Sequence, residues 1–296
     1  METKNYEAIV ISGGGSNGIL SLGSLHYEFE KGSYNPSYVR IYAGTSIGSV
    51  ISLLLICGYT PMEIFAEVYT TDHFFDINKC GSIWDIFKYM GLISISVFSD
   101  KIEALVKRKF GYTPTMVELY NLTQKVLVAA VSNVTKMKCE YYTYKTKPDT
   151  SCVEAVMHSC NLPLIFHSIQ YSDSYIVDGG LTDNFPLRYI DDYKIKILGI
   201  VTMGVDFSLS DTKFTGYFYR LVVMPVNANT ELRCALAKSN TKVIKIVRNK
   251  SSLKLFSISS DVKMSMFWDG YSVAQKVDNT FFIHVKGYEI PDTMVL

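Results

Sequence analysis

The chain has 296 residues, 48% hydrophobic and 19% charged, with 29 basic and 28 acidic side chains and a net charge of +1. That length buries a large core and fits a single domain over 1–296, and the near-neutral charge gives no electrostatic case for nucleic acid. Its most apolar window, residues 50–57, is far shorter than the roughly 20 residues that span a bilayer. The N-terminal METKNYEAIV lacks the basic-then-apolar pattern of a signal peptide, so an intracellular protein, cytoplasmic or peripheral to a membrane, is expected. Cys57, Cys80, Cys139, Cys152, Cys160 and Cys234 show no C-x-x-C spacing and read as buried thiols, neither zinc ligands nor disulfides.

Residues 7–11 form a short apolar run that ends in Ser12-Gly13-Gly14-Gly15-Ser16-Asn17-Gly18, after which residues 19–25 take up helical spacing. This is strand, glycine loop, helix. Gly13, Gly15 and Gly18 satisfy the dinucleotide fingerprint, yet the same loop can present backbone N–H groups to an oxyanion. A dinucleotide site also needs an acidic residue at the end of the second strand, and here that strand, Val39-Arg40-Ile41-Tyr42, runs into Ala43-Gly44. No Gly-Lys-Ser/Thr follows, so a phosphate P-loop is excluded. What remains is a donor loop, or a glycine turn with a packing role only.

The second strand delivers Gly44-Thr45-Ser46-Ile47-Gly48, a G-x-S-x-G between a strand and an apolar helix over 47–56. That context is the one a nucleophile elbow requires, with Ser46 raised above the sheet at the positive end of a helix. A purely structural turn is the alternative. Thr60 and Pro61 then open a helix, as N-cap and first helical residue.

Residues 73–98 are apolar and aromatic without clean periodicity; they are either core or a cap over the serine that lines an acyl pocket or touches a lipid surface. Ser99 or Asp100 is expected to cap a basic helix over 101–109, and Thr115 with Glu118 forms a capping box. Residues 125–131 and 139–145 read as strands of a hairpin. Ser151 and Glu154 read as a second capping box, for a helix over 152–159. The apolar run Tyr175-Ile176-Val177 delivers Asp178 to a strand end, where Gly179 and Gly180 turn the chain away. Asp178 is either a turn-former or a base aimed into a cleft. Residues 194–205 and 242–247 read as further strands, with a helical face from Phe214 to Val222 ahead of Pro225. Alternating strands and helices predict an α/β fold with a mainly parallel central sheet and helices on both faces.

With Gly13 to Gly18, Gly44 to Gly48 and Asp178 to Gly180 in hand, the chain resembles the patatin-like phospholipase family, whose motifs are G-x-G-x-x-G, G-x-S-x-G and D-G-A/G in that order. His158 to Phe166 and Asp183-Asn184-Phe185-Pro186 resemble the joining segments, and Phe267-Trp268-Asp269-Gly270-Tyr271 a C-terminal helix, loosely. The similarity covers about 6–203, with 204–296 expected to pack on the same domain. The resemblance implies a three-layer patatin-like fold and a lipid acyl hydrolase, with Ser46 as nucleophile, Asp178 as base and Gly13, Gly14 and Gly15 as oxyanion donors. It implies a lipid substrate, phospholipid or lysophospholipid, and peripheral membrane contact; the chemistry needs no metal or cofactor. One departure stands out: the family usually has Arg or Lys where this chain has Asn17, so a cation is missing beside the loop and the choice of anionic headgroup is put in question.

Two alternatives stay open. A Ser46, Asp178, His284 triad has the chain order of the α/β-hydrolases, although only one strand precedes the elbow and residues 281–285 read as a strand. His26, His73, His158 and His167 have no evident partners. Otherwise the chain is a non-catalytic relative that holds lipid or a protein in the same groove.

Overall fold

The computed structural model describes residues 5–71, 88–190, 194–204, 214–248 and 258–285. In chain order its strands are β1 (Ala8–Ile11), β2 (Ile41–Thr45), β3 (Gly91–Ile93), β4 (Val126–Asn133), β5 (Lys138–Tyr142), β6 (Leu164–Phe166), β7 (Ile169–Tyr171), β8 (Ser174–Asp178), β9 (Ile197–Gly204) and β10 (Thr241–Arg248). Its α-helices are α1 (Gly18–Glu30), α2 (Ile47–Ile56), α3 (Pro61–Tyr69), α4 (Ser96–Phe110), α5 (Met116–Thr123), α6 (Cys152–Ser159), α7 (Gly180–Asp183), α8 (Phe214–Ala235) and α9 (Ser260–Val285).

The main sheet has the order β10-β9-β1-β2-β4-β8-β7. From β10 to β4 every pairing is parallel, because a helix or longer crossover joins each strand to the next. β8 and β7 add antiparallel pairings beyond β4, and β5 returns on β4 as the expected hairpin. Both sheet faces are covered. Alternate residues of β1 feed opposite layers: Ile9 and Ile11 join the core beneath α1 and α2, while Ala8 and Val10 join a second core with Phe185 and Leu187. This is the expected α/β architecture.

β4 also dictates where the site forms. One of its edges carries β5 against residues 129–133, so β2 and β8 must share the other edge. They meet end to end, with Thr45 opposite Ala130 and Asp178 opposite Val131. The parallel strands all release their loops at one rim, the usual place for ligands in such sheets.

The far C-terminal helix is tied to this core. α9 packs along α1, where Ser24 Oγ donates to the Gly270 carbonyl at 2.7 Å, and against α3, where Phe267 stacks on Phe65 at 4.2 Å between centroids. Buried Glu28 of α1 pairs with Lys242 of β10, which also pairs with Asp278 of α9; Lys31 reaches Asp278 as well.

Several local expectations need correction. Residues 281–285 are the last turns of α9, not a strand; a five-residue apolar run does not by itself distinguish the two. α8 continues through Pro225, because the carbonyl that loses its partner belongs to Leu221, on a water-facing side where Leu221 and Met224 are exposed. α4 begins at Ser96, ahead of Ser99 and Asp100, where the Ser94 hydroxyl accepts the Ser96 N–H at 3.2 Å. Thr60 and Thr115 each form full capping boxes. Ser151 caps α6 alone, accepting the Val153 N–H, while Glu154 turns toward His158. Much of the aromatic segment 73–98, and with it His73 and Cys80, lies outside the described residues. Within the remainder Ile93 and Phe98 are buried, whereas Tyr89 and Met90 are exposed.

Candidate active site

Ser46 occupies the junction of β2 and α2 with φ 53° and ψ −130°, a conformation that a residue with a Cβ avoids. Such strain costs on the order of 1–3 kcal/mol and persists only where the surroundings hold it. Here the Ser46 N–H donates to Ser159 Oγ at 2.9 Å, and the Ser159 hydroxyl donates to the Ala130 carbonyl of β4 at 2.6 Å. On the other side Ser49 Oγ donates to the Ser46 carbonyl at 2.7 Å. The helix that follows lies so close to β1 that a Cβ on Gly48 would fall 2.3 Å from the Ile11 carbonyl oxygen. Sequence reading found the elbow but missed Ser159, whose only signal is its place at the end of a helix far along the chain.

Asp178 ends β8 with its carboxyl group buried, at 4% residue exposure. It accepts the Gly180 N–H at 2.7 Å and lies beside the Ser46 side chain. It bonds its own turn, as a turn-former does, and it lies beside the serine. Burial pushes its pKa up from 3.8 to about 6, with the nearby Ser46 hydroxyl and the Gly180 N–H pulling the other way. The backbone is held too, since the Asp178 N–H donates to the Asn161 carbonyl at 2.8 Å and its carbonyl accepts Ser132 Oγ at 2.8 Å.

The glycine loop lies against this pair. A Cβ on Gly13 would stand 3.2 Å from Ser46 Cβ and 2.5 Å from Asn184 Oδ1. The Gly13 N–H, however, donates to the Asn184 carbonyl at 3.1 Å. It is therefore engaged, which narrows the expected trio of donors. Gly14 and Gly15 are exposed, and their N–H groups have no acceptor among the described residues. Gly18, Gly44 and Gly179 lie where motif spacing put them, in the packing around the loop, the elbow and the strand end.

Cys160 is the remaining neighbour. Its buried thiol lies beside the Ser46 and Ser49 hydroxyls, and burial raises its pKa far above the ordinary thiol value. Cys57 and Cys152 are likewise buried, and Cys139 and Cys234 half-buried, all as free thiols. Of the described histidines, His26 lies near Glu30, His167 is stacked on Tyr89, and His158 lies among Tyr142 and Tyr171, where burial lowers its pKa to about 4. His284 falls in the last turn of α9. Among the described residues no helix is long and apolar enough to cross a membrane.

A profile of the family described as "Patatin-like phospholipase" matches residues 9–191. The "Probable lipid hydrolase 463L" of Invertebrate iridescent virus 6 is 33% identical over 199 residues, 66% of this chain and 67% of that protein. A "cGAMP-activated phospholipase" of Escherichia coli is 25% identical over 280 residues, 78% of this chain and 75% of the other. In fold the chain is similar to VipD from Legionella pneumophila, with a TM-score of 0.53 and 15% identity over 93% of this chain and 67% of that one. It is also similar to the type III effector ExoU, with a TM-score of 0.51 and 13% identity over 93% of this chain, which spans 53% of ExoU. The profile takes in the glycine loop, the serine elbow and the Asp178 turn together, and the chain belongs to the patatin-like phospholipase family.

Proposed function

We propose that the chain is a Ser-Asp acyl hydrolase that cleaves carboxylic esters of phospholipids or lysophospholipids. The observation that carries this reading is the strained Ser46 elbow set beside the buried Asp178 carboxyl group. Asp178 takes the Ser46 proton as Ser46 Oγ bonds to the ester carbonyl carbon. The oxyanion that forms is met by the N–H groups of Gly14 and Gly15 and by the positive end of α2. Collapse of the tetrahedral species breaks the ester bond, and the departing alkoxide takes the proton from Asp178. Water then attacks the acyl-enzyme, its proton passing through Asp178 back to Ser46 as the fatty acid leaves.

An ordinary aspartate, with pKa about 3.9, is a weak base at neutral pH. Burial corrects this, because a carboxylate with pKa about 6 is more basic and still ionised at pH 7. The exposed amides carry the rest of the barrier, each oxyanion donor being worth roughly 100- to 1,000-fold in rate. Leu181, directly after Gly180, is 39% exposed and offers an apolar contact at the mouth for a lipid surface. Intact-mass analysis after treatment with a fluorophosphonate tests the nucleophile. One adduct mapping to Ser46, absent from Ser46→Ala, supports the proposal; no adduct in the folded wild type contradicts it.

A further inference from the structure

A cation beside the glycine loop comes from the far end of the chain. Arg248 is the last residue of β10, opposite Gly204 at the end of β9, on the rim where β1 and β2 release the loop and the serine. Its Nη1 lies 3.5 Å from Asn17 Oδ1. A guanidinium carries only donors, so the oxygen of the Asn17 amide faces it and the amide NH2 points elsewhere. Asn17 in turn rests on the loop, its N–H donating to the Gly14 carbonyl at 3.0 Å.

Arg248 is half-buried, and among the described residues no carboxylate pairs with it. Other cations are committed: Arg108 pairs with Glu67, Arg233 faces Asp183, and Lys245 pairs with Glu231. The contact with Asn17 uses one of five guanidinium donors and neutralises no charge. At roughly 4.8 Å between strands, β10 lies about 14 Å from β2, and the long arginine side chain covers much of that gap toward Asn17. In a glycerophospholipid the phosphate is only a few bonds from the ester that is cleaved. With its ester at Ser46, its phosphate would lie over the loop, within reach of the guanidinium and the Asn17 amide.

We propose that Arg248 holds the phosphodiester of the substrate, restoring from β10 the charge that neutral Asn17 does not supply. The inference rests on the hydrolase reading above and narrows its substrates to phospholipids over uncharged glycerides. Arginine suits the role because its planar fork matches two phosphate oxygens at once, which lysine cannot do.

The test compares wild type, Arg248→Gln and Arg248→Lys on monomeric dihexanoylphosphatidylcholine and on p-nitrophenyl butyrate. The phospholipid-to-butyrate ratio of kcat/KM is expected to fall about 10- to 100-fold in Arg248→Gln, as for loss of a charge-assisted contact, and less in Arg248→Lys. An unchanged ratio, or equal loss on both substrates, overturns the proposal. Binding of a short diether phosphatidylcholine to Ser46→Ala and to Ser46→Ala/Arg248→Gln reads the same contact without turnover. If wild type cleaves nothing, the hydrolase reading fails, while weaker diether binding without Arg248 still sustains the headgroup contact. Arg248-dependent binding of inorganic phosphate with Arg248-independent binding of the diether assigns the site to free phosphate and overturns the lipid assignment.

Discussion

The Ser46 side chain lies beside the Asp178 carboxylate because β2 and β8 approach from opposite directions along one edge of β4, placing Thr45 and Asp178 opposite the consecutive residues Ala130 and Val131. The two side chains are far apart in sequence, yet they are fixed by the register of a single buried strand. In the proposed mechanism, a base and a nucleophile held this way need little reorganisation before reaction.

In the proposed dyad Asp178 sets the pH dependence. It must be ionised to accept a proton, and its pKa is about 6. The kcat/KM on a neutral ester is expected to rise with pH, reach half its plateau near pH 6 and stay level above that. A half-maximum near pH 4 would mean that the base is an ordinary exposed carboxylate.

The same burial costs stability. Because the folded-state pKa lies above the unfolded value, the folded protein binds the extra proton between about pH 4 and pH 6, so stability falls as pH rises through that window. From 3.8 to about 6 the gap corresponds to about 3 kcal/mol at neutral pH. Asp178→Asn, which is neutral throughout, is expected to unfold at higher urea than wild type at pH 8 and at nearly the same urea at pH 4. Equal urea midpoints at pH 8 would contradict this.

Ser159 ties the elbow to β4, bonding the Ser46 N–H and the Ala130 carbonyl. Replacing it by alanine leaves the Ser46 N–H and the Ala130 carbonyl without their shared partner, a loss of about 1–3 kcal/mol. Ser159→Ala is expected to stay folded with a lower kcat and a nearly unchanged KM, because the elbow relaxes while the groove persists. A lower thermal midpoint with wild-type kcat would show that the elbow holds its shape alone.

Lys242 joins Glu28 and Asp278 between β10, α1 and α9. Lys242→Met leaves Glu28 buried and unpaired, and removing one partner of such a pair costs about 3–5 kcal/mol. The double variant Glu28→Gln/Lys242→Met is expected to recover part of that loss in urea unfolding. Full additivity of the two substitutions would contradict a shared network.

What was legible in the sequence was local. Each of the three motifs sits at a strand end, where apolar runs and glycines declare the turn, so Ser46, Asp178 and the Gly14-Gly15 loop could be named directly. What pairs across the fold could not. The Asn184 carbonyl that engages Gly13, the Ser159 hydroxyl under Ser46 and the Arg248 guanidinium beside Asn17 become neighbours only through the strand order. Local signals also misled where solvent exposure excused a rule, as at Pro225, or where a short apolar run fitted both periods, as at residues 281–285.

The most direct test is release of fatty acid from phosphatidylcholine by wild type, Ser46→Ala, Asp178→Asn and His284→Ala, each first shown to be folded. The dyad predicts that the first two substitutions lower the rate by roughly 1,000-fold or more while His284→Ala retains it. Loss of activity in folded His284→Ala, or near-normal activity in Asp178→Asn, would contradict it.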